Sequence, residues 1–205
     1  FIASCFLVMV IVGSGIMAEN LTNDNAVRLL ANTIATGAGL FVLITAFANI
    51  SGAHLNPFVS LSMYLTKRIK GKELLTYIPA QILGCLLGVM LANVFFEHSI
   101  IELSTKNRDG FHIFLSEIVA TFGLIFIIFA TLKDGKTTIA ACVATYISAG
   151  YWFTSSTSFA NPAVAIARTF TDSFTGINYL NTPTYIFAEL LGAIAAVYII
   201  KRLIK

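Results

Sequence analysis

Thr154-Ser155-Ser156-Thr157-Ser158-Phe159-Ala160-Asn161-Pro162-Ala163-Val164-Ala165-Ile166-Ala167-Arg168 decides how the rest of the chain is read. It is a small-polar run that feeds a helix start. Asn is a favoured N-cap and Pro a favoured first helical residue, so a helix is expected to open at Asn161-Pro162 and to carry residues 163 to about 170. A bilayer crossing needs about 20 residues, and this helix is far shorter. Its flanks are long and apolar, so the break in the backbone lies at membrane depth, where irregular backbone is tolerated only inside protein or along a wet cavity.

The composition supports that placement. The chain is 57% hydrophobic and 11% charged, with a mean hydropathy of +0.84, whereas about a quarter of the residues of an ordinary globular protein are charged. We therefore read an all-α integral membrane protein, residues 1–205 forming a single membrane domain with no separate soluble domain. The net charge of +3 is spread over short loops, which makes it a topology signal and not a nucleic-acid surface. Cys5, Cys85 and Cys142 stand alone in apolar surroundings, so they read as inert thiols; no metal site and no cofactor is expected. Residue 1 already lies inside an apolar run, so the first segment is expected to be a trimmed helix and not a signal peptide, with the true N-terminus missing.

Working outward, spans are expected over residues 1–18, 26–49, 74–96, 111–132, 137–153 and 185–200, with an exposed polar connection over 19–25 and the longest polar loop over 97–110. Between the second and third spans stands Ser51-Gly52-Ala53-His54-Leu55-Asn56-Pro57-Phe58-Val59-Ser60, a second small-polar run that ends in Asn-Pro and opens a short helix. Ser51 and Asn56 match Ser156 and Asn161 at one common offset, and Tyr77-x-x-Ala80-Gln81-x-x-Gly84 echoes Tyr185-x-x-Ala188-Glu189-x-x-Gly192. The chain thus reads as two repeats, residues 1–96 and 111–205, each with three spans and one re-entrant half-helix. An odd number of spans forces the repeats into opposite orientations. Lys67, Arg68, Lys70, Lys72, Lys133, Lys136, Lys201, Arg202 and Lys205 then fall on one side, and Arg28, Lys106, Arg108 and Arg168 on the other. By the positive-inside rule both termini are cytoplasmic.

In an inverted pair the two half-helix starts meet near the midplane. A helix of about 10 to 12 residues reaches about 15 to 18 Å, half of the roughly 30 Å hydrocarbon core, so the pair completes one crossing. Each start carries about half a positive charge, which repels cations and protons. Asn56 and Asn161 can cap their own helices through oxygen while offering amide donors to a passing hydroxyl, so neutral hydrogen-bonding solutes are favoured at the pore midplane.

The paired Ser-Gly-Ala-His-Leu-Asn-Pro and Ser-Phe-Ala-Asn-Pro-Ala motifs, set in an inverted six-span repeat, resemble the aquaporin and aquaglyceroporin (major intrinsic protein) family over essentially the whole chain. The resemblance implies a right-handed bundle, a homotetramer of four independent pores in the cell membrane, and passive conduction of water or small neutral solutes. It also implies a Glu in the first span of each repeat. Glu117 matches the second, and the first would fall just before Phe1. Glu117 and Glu189 are the acids expected inside the membrane, either as braces for the re-entrant loops, the favoured reading, or as a proton relay. His54 is read first as a loop brace and second as a pH-sensitive or solute-contacting group.

Departures from the family pattern carry the finer reading. Filter positions transferred by spacing fall on Thr36, Ala149, Ser158 and Val164, with Gly150 as the alternative to Ala149. All are small or uncharged, so a wider and less cation-repelling filter is expected, with Val164 in place of Arg as the central change. Arg168, one turn further, is read either as a displaced filter charge or, preferentially, as the i,i+4 ion pair of Asp172. Phe58, where the family has Ala, either packs on the opposite half-helix or plugs the midplane.

Residues 149–164 resemble a bacterial and archaeal aquaporin subgroup linked with arsenic resistance. That points to arsenite or a related metalloid hydroxide, with glycerol and water, as solutes, and to Thr36, Thr154, Ser155, Ser156 and Ser158 as hydroxyl donors. A glycerol and water facilitator, a proton- or ion-coupled secondary transporter and a closed adhesive protein are the alternatives. An enzyme is not expected, because no base accompanies the many Ser residues.

Overall fold

The computed structural model describes residues 1–203, so Lys205, one of the cations placed on the cytoplasmic side, lies outside the described residues. The elements are α1 (Ile2–Leu21), α2 (Asn25–Ser51), α3 (Pro57–Leu65), α4 (Gly71–Phe95), α5 (Phe111–Thr131), α6 (Lys136–Phe153), α7 (Pro162–Ala167) and α8 (Thr182–Leu203), with a 3-10 turn over Arg168–Phe170. No strand occurs among the described residues.

Local chemistry sets the ends. Asp24 caps α2 by accepting from the Ala26 and Val27 amides at 2.8 and 3.3 Å, and Gly52, at φ +74°, closes it in the left-handed conformation that costs glycine least. At the head of α4 the Glu73 carboxylate accepts the Lys70 amide at 2.7 Å. Helix α1 runs on to Leu21, so Glu19 and Asn20 are helical and the exposed connection shrinks to residues 22–24.

Five helices, α1, α2, α4, α5 and α8, are long and apolar enough to cross a membrane. Helix α6 has 18 residues, about 27 Å at 1.5 Å each, but Thr137, Thr138, Thr145, Tyr146 and Ser148 leave it less apolar than the other five. Large apolar side chains such as Phe6, Val42, Leu75, Leu83, Phe111, Phe187 and Tyr198 stand exposed around the outside, the pattern of a surface solvated by lipid.

The packing is paired. Helix α1 lies against α4 as α5 lies against α8, and α1 meets α2 as α5 meets α6. Small residues allow the close approach: a side chain at Gly84 or Gly88 would run into the Phe1 or Cys5 carbonyl, and one at Gly192 into the Ile118 carbonyl. The half-helices are exchanged between halves. Helix α3 packs on α8 as well as α4, and α7 on α4 as well as α8. This crossing brings residues 51–56 and 154–161 together in the middle of the bundle.

Candidate functional site

The two Asn-Pro loops are tied to each other by a reciprocal pair of hydrogen bonds. Asn56 Oδ1 accepts the Phe58 amide at 2.8 Å, capping α3, while its Nδ2 donates to the Ala160 carbonyl at 2.6 Å. Asn161 Oδ1 accepts the Ala163 and Val164 amides at 3.1 and 3.4 Å, capping α7, while its Nδ2 donates to the Leu55 carbonyl at 2.8 Å. Each Asn thus caps its own helix and spends one amide hydrogen on the opposite loop. The second amide hydrogen of each takes no partner among the described residues, and both side chains line a common cavity of about 110 Å³. Only one donor per Asn, not the whole amide, is left for a solute.

The carbonyls that receive these bonds point across the axis because the backbone is turned against its usual preference. Leu55 and Ala160 have φ of +54° and +46°, and Ala53 and Ser158, at the matching places, have +49° and +51°. Left-handed backbone costs an L-residue roughly 1–2 kcal/mol, and such residues persist where their surroundings over-determine them.

The over-determination is visible around the second loop. Glu117 Oε1 and Oε2 accept the Phe159 and Ala160 amides at 2.9 and 2.8 Å, and Glu189 Oε1 accepts the Asn161 amide at 2.9 Å. Both acids are fully buried. The first loop is held by neutral groups: Tyr77 donates to the Ser51 carbonyl, and Gln81 Nε2 donates to Ser60 Oγ, each at 3.0 Å. His54 Nδ1 lies 3.0 Å from the same Ser60 hydroxyl, its ring is edge-on to Tyr77 at 5.2 Å, and it lines the cavity.

Around the cavity, Thr36, Tyr151, Ser158, Val164 and Arg168 stand on the side of the α6 C-terminus. Ile44, Met63, Leu132 and Ile139 stand toward the α6 N-terminus. The second group is wholly apolar. The first holds one hydroxyl pair, Tyr151 donating to Thr36 Oγ1 at 3.1 Å. Val164 is 2% exposed and forms part of the wall one turn before Arg168.

Several expectations change here. Ala149 is exposed on the outer side of α6 and does not line the cavity; Ile147 and Tyr151 do. Gly150, the alternative, leaves the room that the buried Ser158 hydroxyl occupies, and that hydroxyl has no hydrogen-bond partner among the described residues. Thr154 donates to the Gly150 carbonyl at 2.6 Å, Ser155 pairs with Ser116 at 2.9 Å, and Ser156 accepts the Ser158 amide at 3.2 Å. Their hydroxyls shape the loop and do not line the cavity, because short polar side chains satisfy nearby backbone first. Phe58 is buried away from the cavity walls and is no plug.

The Arg168–Asp172 ion pair does not form. The helix ends at Ala167, and after the 3-10 turn the chain is extended at Thr171, which removes the i,i+4 geometry. Asp172 instead accepts from the Thr105 amide at 2.8 Å and from its hydroxyl at 3.1 Å. Arg168 is 3% exposed in the cavity wall, its guanidinium 3.5 Å from the Phe159 ring centroid and its Nε donating to the Thr175 carbonyl.

Two residues of this region, Tyr151 and Arg108, lie outside the site positions that the sequence assigns. Tyr151 was legible, since Val143, Ile147 and Tyr151 share one face of α6 at i,i+4 spacing. Arg108 was not, because it reaches the site through loop-to-loop pairing. The Ser104 amide donates to the Thr169 carbonyl at 2.9 Å, the Asn178 amide to the Lys106 carbonyl at 2.8 Å, and the Arg108 amide to Asn181 Oδ1 at 2.9 Å. Loop 97–110 is thereby laid over the end of α7.

A bundle of membrane-length helices with two capped half-helices meeting on a narrow cavity is the architecture of a transmembrane pore. A sequence profile described as Major intrinsic protein matches residues 1–154. The chain is 47% identical over 199 residues to aquaglyceroporin AqpS of Rhizobium meliloti (strain 1021), covering 97% of this chain and 85% of that protein. It is 27% identical over 205 residues to aquaporin-4 of Rattus norvegicus, covering 96% of this chain and spanning 63% of that relative. Among solved structures, the aquaglyceroporin from Plasmodium falciparum shares the fold with a TM-score of 0.79 at 19% identity, over 99% of this chain and 93% of the other. The chain belongs to the major intrinsic protein family, a family of membrane channels, and has the aquaporin fold.

Proposed function

We propose that this protein is a passive channel for small neutral solutes, with arsenite or a related metalloid hydroxide as leading substrate and glycerol and water behind it. The observation that carries the reading is the pair Asn56 and Asn161, each presenting one free amide hydrogen to a single cavity whose wall at position 164 is the small, uncharged Val. A neutral polyhydroxyl can exchange hydration for these donors, whereas an ion finds too few partners to replace its water. Arsenous acid and glycerol share that chemistry at neutral pH.

The resemblance of residues 149–164 to the arsenic-linked subgroup favours the metalloid. The name of the relative at 47% identity, an aquaglyceroporin, favours a glycerol and water facilitator without a metalloid role. A coupled transporter is the weaker reading, since Glu117 and Glu189 are both engaged on backbone amides. The reading includes repeats over residues 1–96 and 111–205 of one channel domain, cytoplasmic termini, a cell-membrane location and a homotetramer.

Vesicles holding the purified protein should reswell in arsenite and in glycerol gradients faster than empty vesicles, with no dependence on a pH or sodium gradient. Identical rates in loaded and empty vesicles would refute the channel. Uphill accumulation driven by an ion gradient would establish the coupled transporter instead.

A further inference from the structure

Val164 leaves the wall without charge at the place where the family pattern has an Arg, yet the wall is not uncharged, because Arg168 lines the same cavity one turn away. Its guanidinium is stacked on the ring of Phe159 at 3.5 Å and its Nε is taken by the Thr175 carbonyl. Among the described residues its two terminal nitrogens take no hydrogen bond and no carboxylate pairs with it. A second guanidinium, that of Arg108, lies 5.5 Å from the same ring, fixed by its donations to the Gly176 and Phe174 carbonyls at 2.8 and 3.0 Å. A planar guanidinium on an aromatic face is held in one orientation, so its remaining N–H groups keep a fixed aim.

We propose that Arg168, seated on Phe159 beside Arg108, is the residue that excludes cations from this pore and donates to the hydroxyls of entering neutral solutes, so that the charge absent at Val164 is supplied one turn further along. The inference rests on the channel reading above. Phe159 acts as a positioning residue that carries the guanidinium, and Arg108 adds a like charge beside the same ring. At an effective dielectric of about 20, a unit charge about 6 Å from a monovalent cation disfavours it by about a hundredfold.

Urea and guanidinium are nearly isosteric and differ by one charge, so they isolate the effect. Both permeabilities, with that of glycerol, are measured by stopped-flow light scattering on vesicles holding the full chain, the membrane potential clamped with potassium and valinomycin. The wild-type protein should pass glycerol and exclude guanidinium. In Arg168→Gln, guanidinium permeability should rise at least tenfold relative to that of urea, and Arg168→Lys should keep the exclusion.

Arg168→Gln that passes glycerol and still excludes guanidinium overturns the assignment. So does Arg168→Lys that leaks as Arg168→Gln does, since Arg168 would then act as a clamp on Thr175 and not as a charge. Should Arg168→Gln fail to fold, Phe159→Leu keeps the charge and removes its platform: partial guanidinium leakage supports the proposal, and unchanged exclusion overturns it. Absence of glycerol flux in the wild-type protein is a separate result, which sinks the channel reading itself.

Discussion

Replacing Glu117 by Ala removes the acceptor of two backbone amides at once, those of Phe159 and Ala160. Both lie where the carboxylate is fully buried, so water does not replace it. A buried donor left unsatisfied costs about 1–3 kcal/mol, which puts the loss at about 4 kcal/mol for two. For a chain of this size each kcal/mol moves Tm by about 2–4 °C, so a fall of about 8 to 16 °C is expected. Glu189→Ala supplies the internal scale. It frees one amide, that of Asn161, and should lower Tm by about half as much. Thermal unfolding of the purified proteins in one detergent, followed by circular dichroism, gives both numbers. A fall of under about 2 °C for Glu117→Ala, or equal falls for the two variants, would show that the loop is held by the Asn crossings and packing and not by counted amides.

Other outcomes follow from the same geometry. Val164→Arg should suppress glycerol and arsenite flux while water conduction survives, and stopped-flow rates for each solute check it; undiminished glycerol flux counts against Val164 as a filter position. Asn56→Ala loses a helix cap, worth about 0.5–2 kcal/mol, and the bond to the Ala160 carbonyl, about 0.5–1.5 kcal/mol, so Tm should fall by several degrees. Gly88→Leu drives a side chain into the Cys5 carbonyl and must part α1 from α4, at a cost of about 1–3 kcal/mol or more; a Tm matching the wild type refutes that close approach. Tyr151→Phe removes the donor to Thr36 and should cost about 1 kcal/mol in the same unfolding assay.

The helical scaffold was legible because its signals are local. Asn161-Pro162 and Asn56-Pro57 state where helices begin, long apolar runs state where they cross, and Gly84 and Gly192 mark where helices touch. The filter was less legible for a definite reason. Thr157, Ser158 and Ala160 all take left-handed backbone, and spacing from Asn161 assumes a path that such a loop does not follow, so Ala149 falls on the exposed face of α6 while Ile147 and Tyr151 line the cavity. The Arg168–Asp172 pair failed in a similar way: i,i+4 spacing has meaning only where the helix continues, and it stops at Ala167. Arg108 lies about sixty residues from Arg168 in the chain, and no local pattern announces a contact between two loops.

The crossed Asn56–Ala160 and Asn161–Leu55 bonds bear on how the molecule comes to exist. A ribosome delivers the first Asn-Pro long before the second, and until residue 160 has emerged the Asn56 amide lacks its native acceptor. The early half must wait in the bilayer with its loop braced by Tyr77 and Gln81 alone, without the latch to residues 160 and 161, while the remaining spans are inserted. Closure of the midplane is then a late, concerted event of biosynthesis, in which each loop is the template that finishes the other. Mutations at either Asn-Pro should accordingly delay maturation of the whole chain rather than of one half.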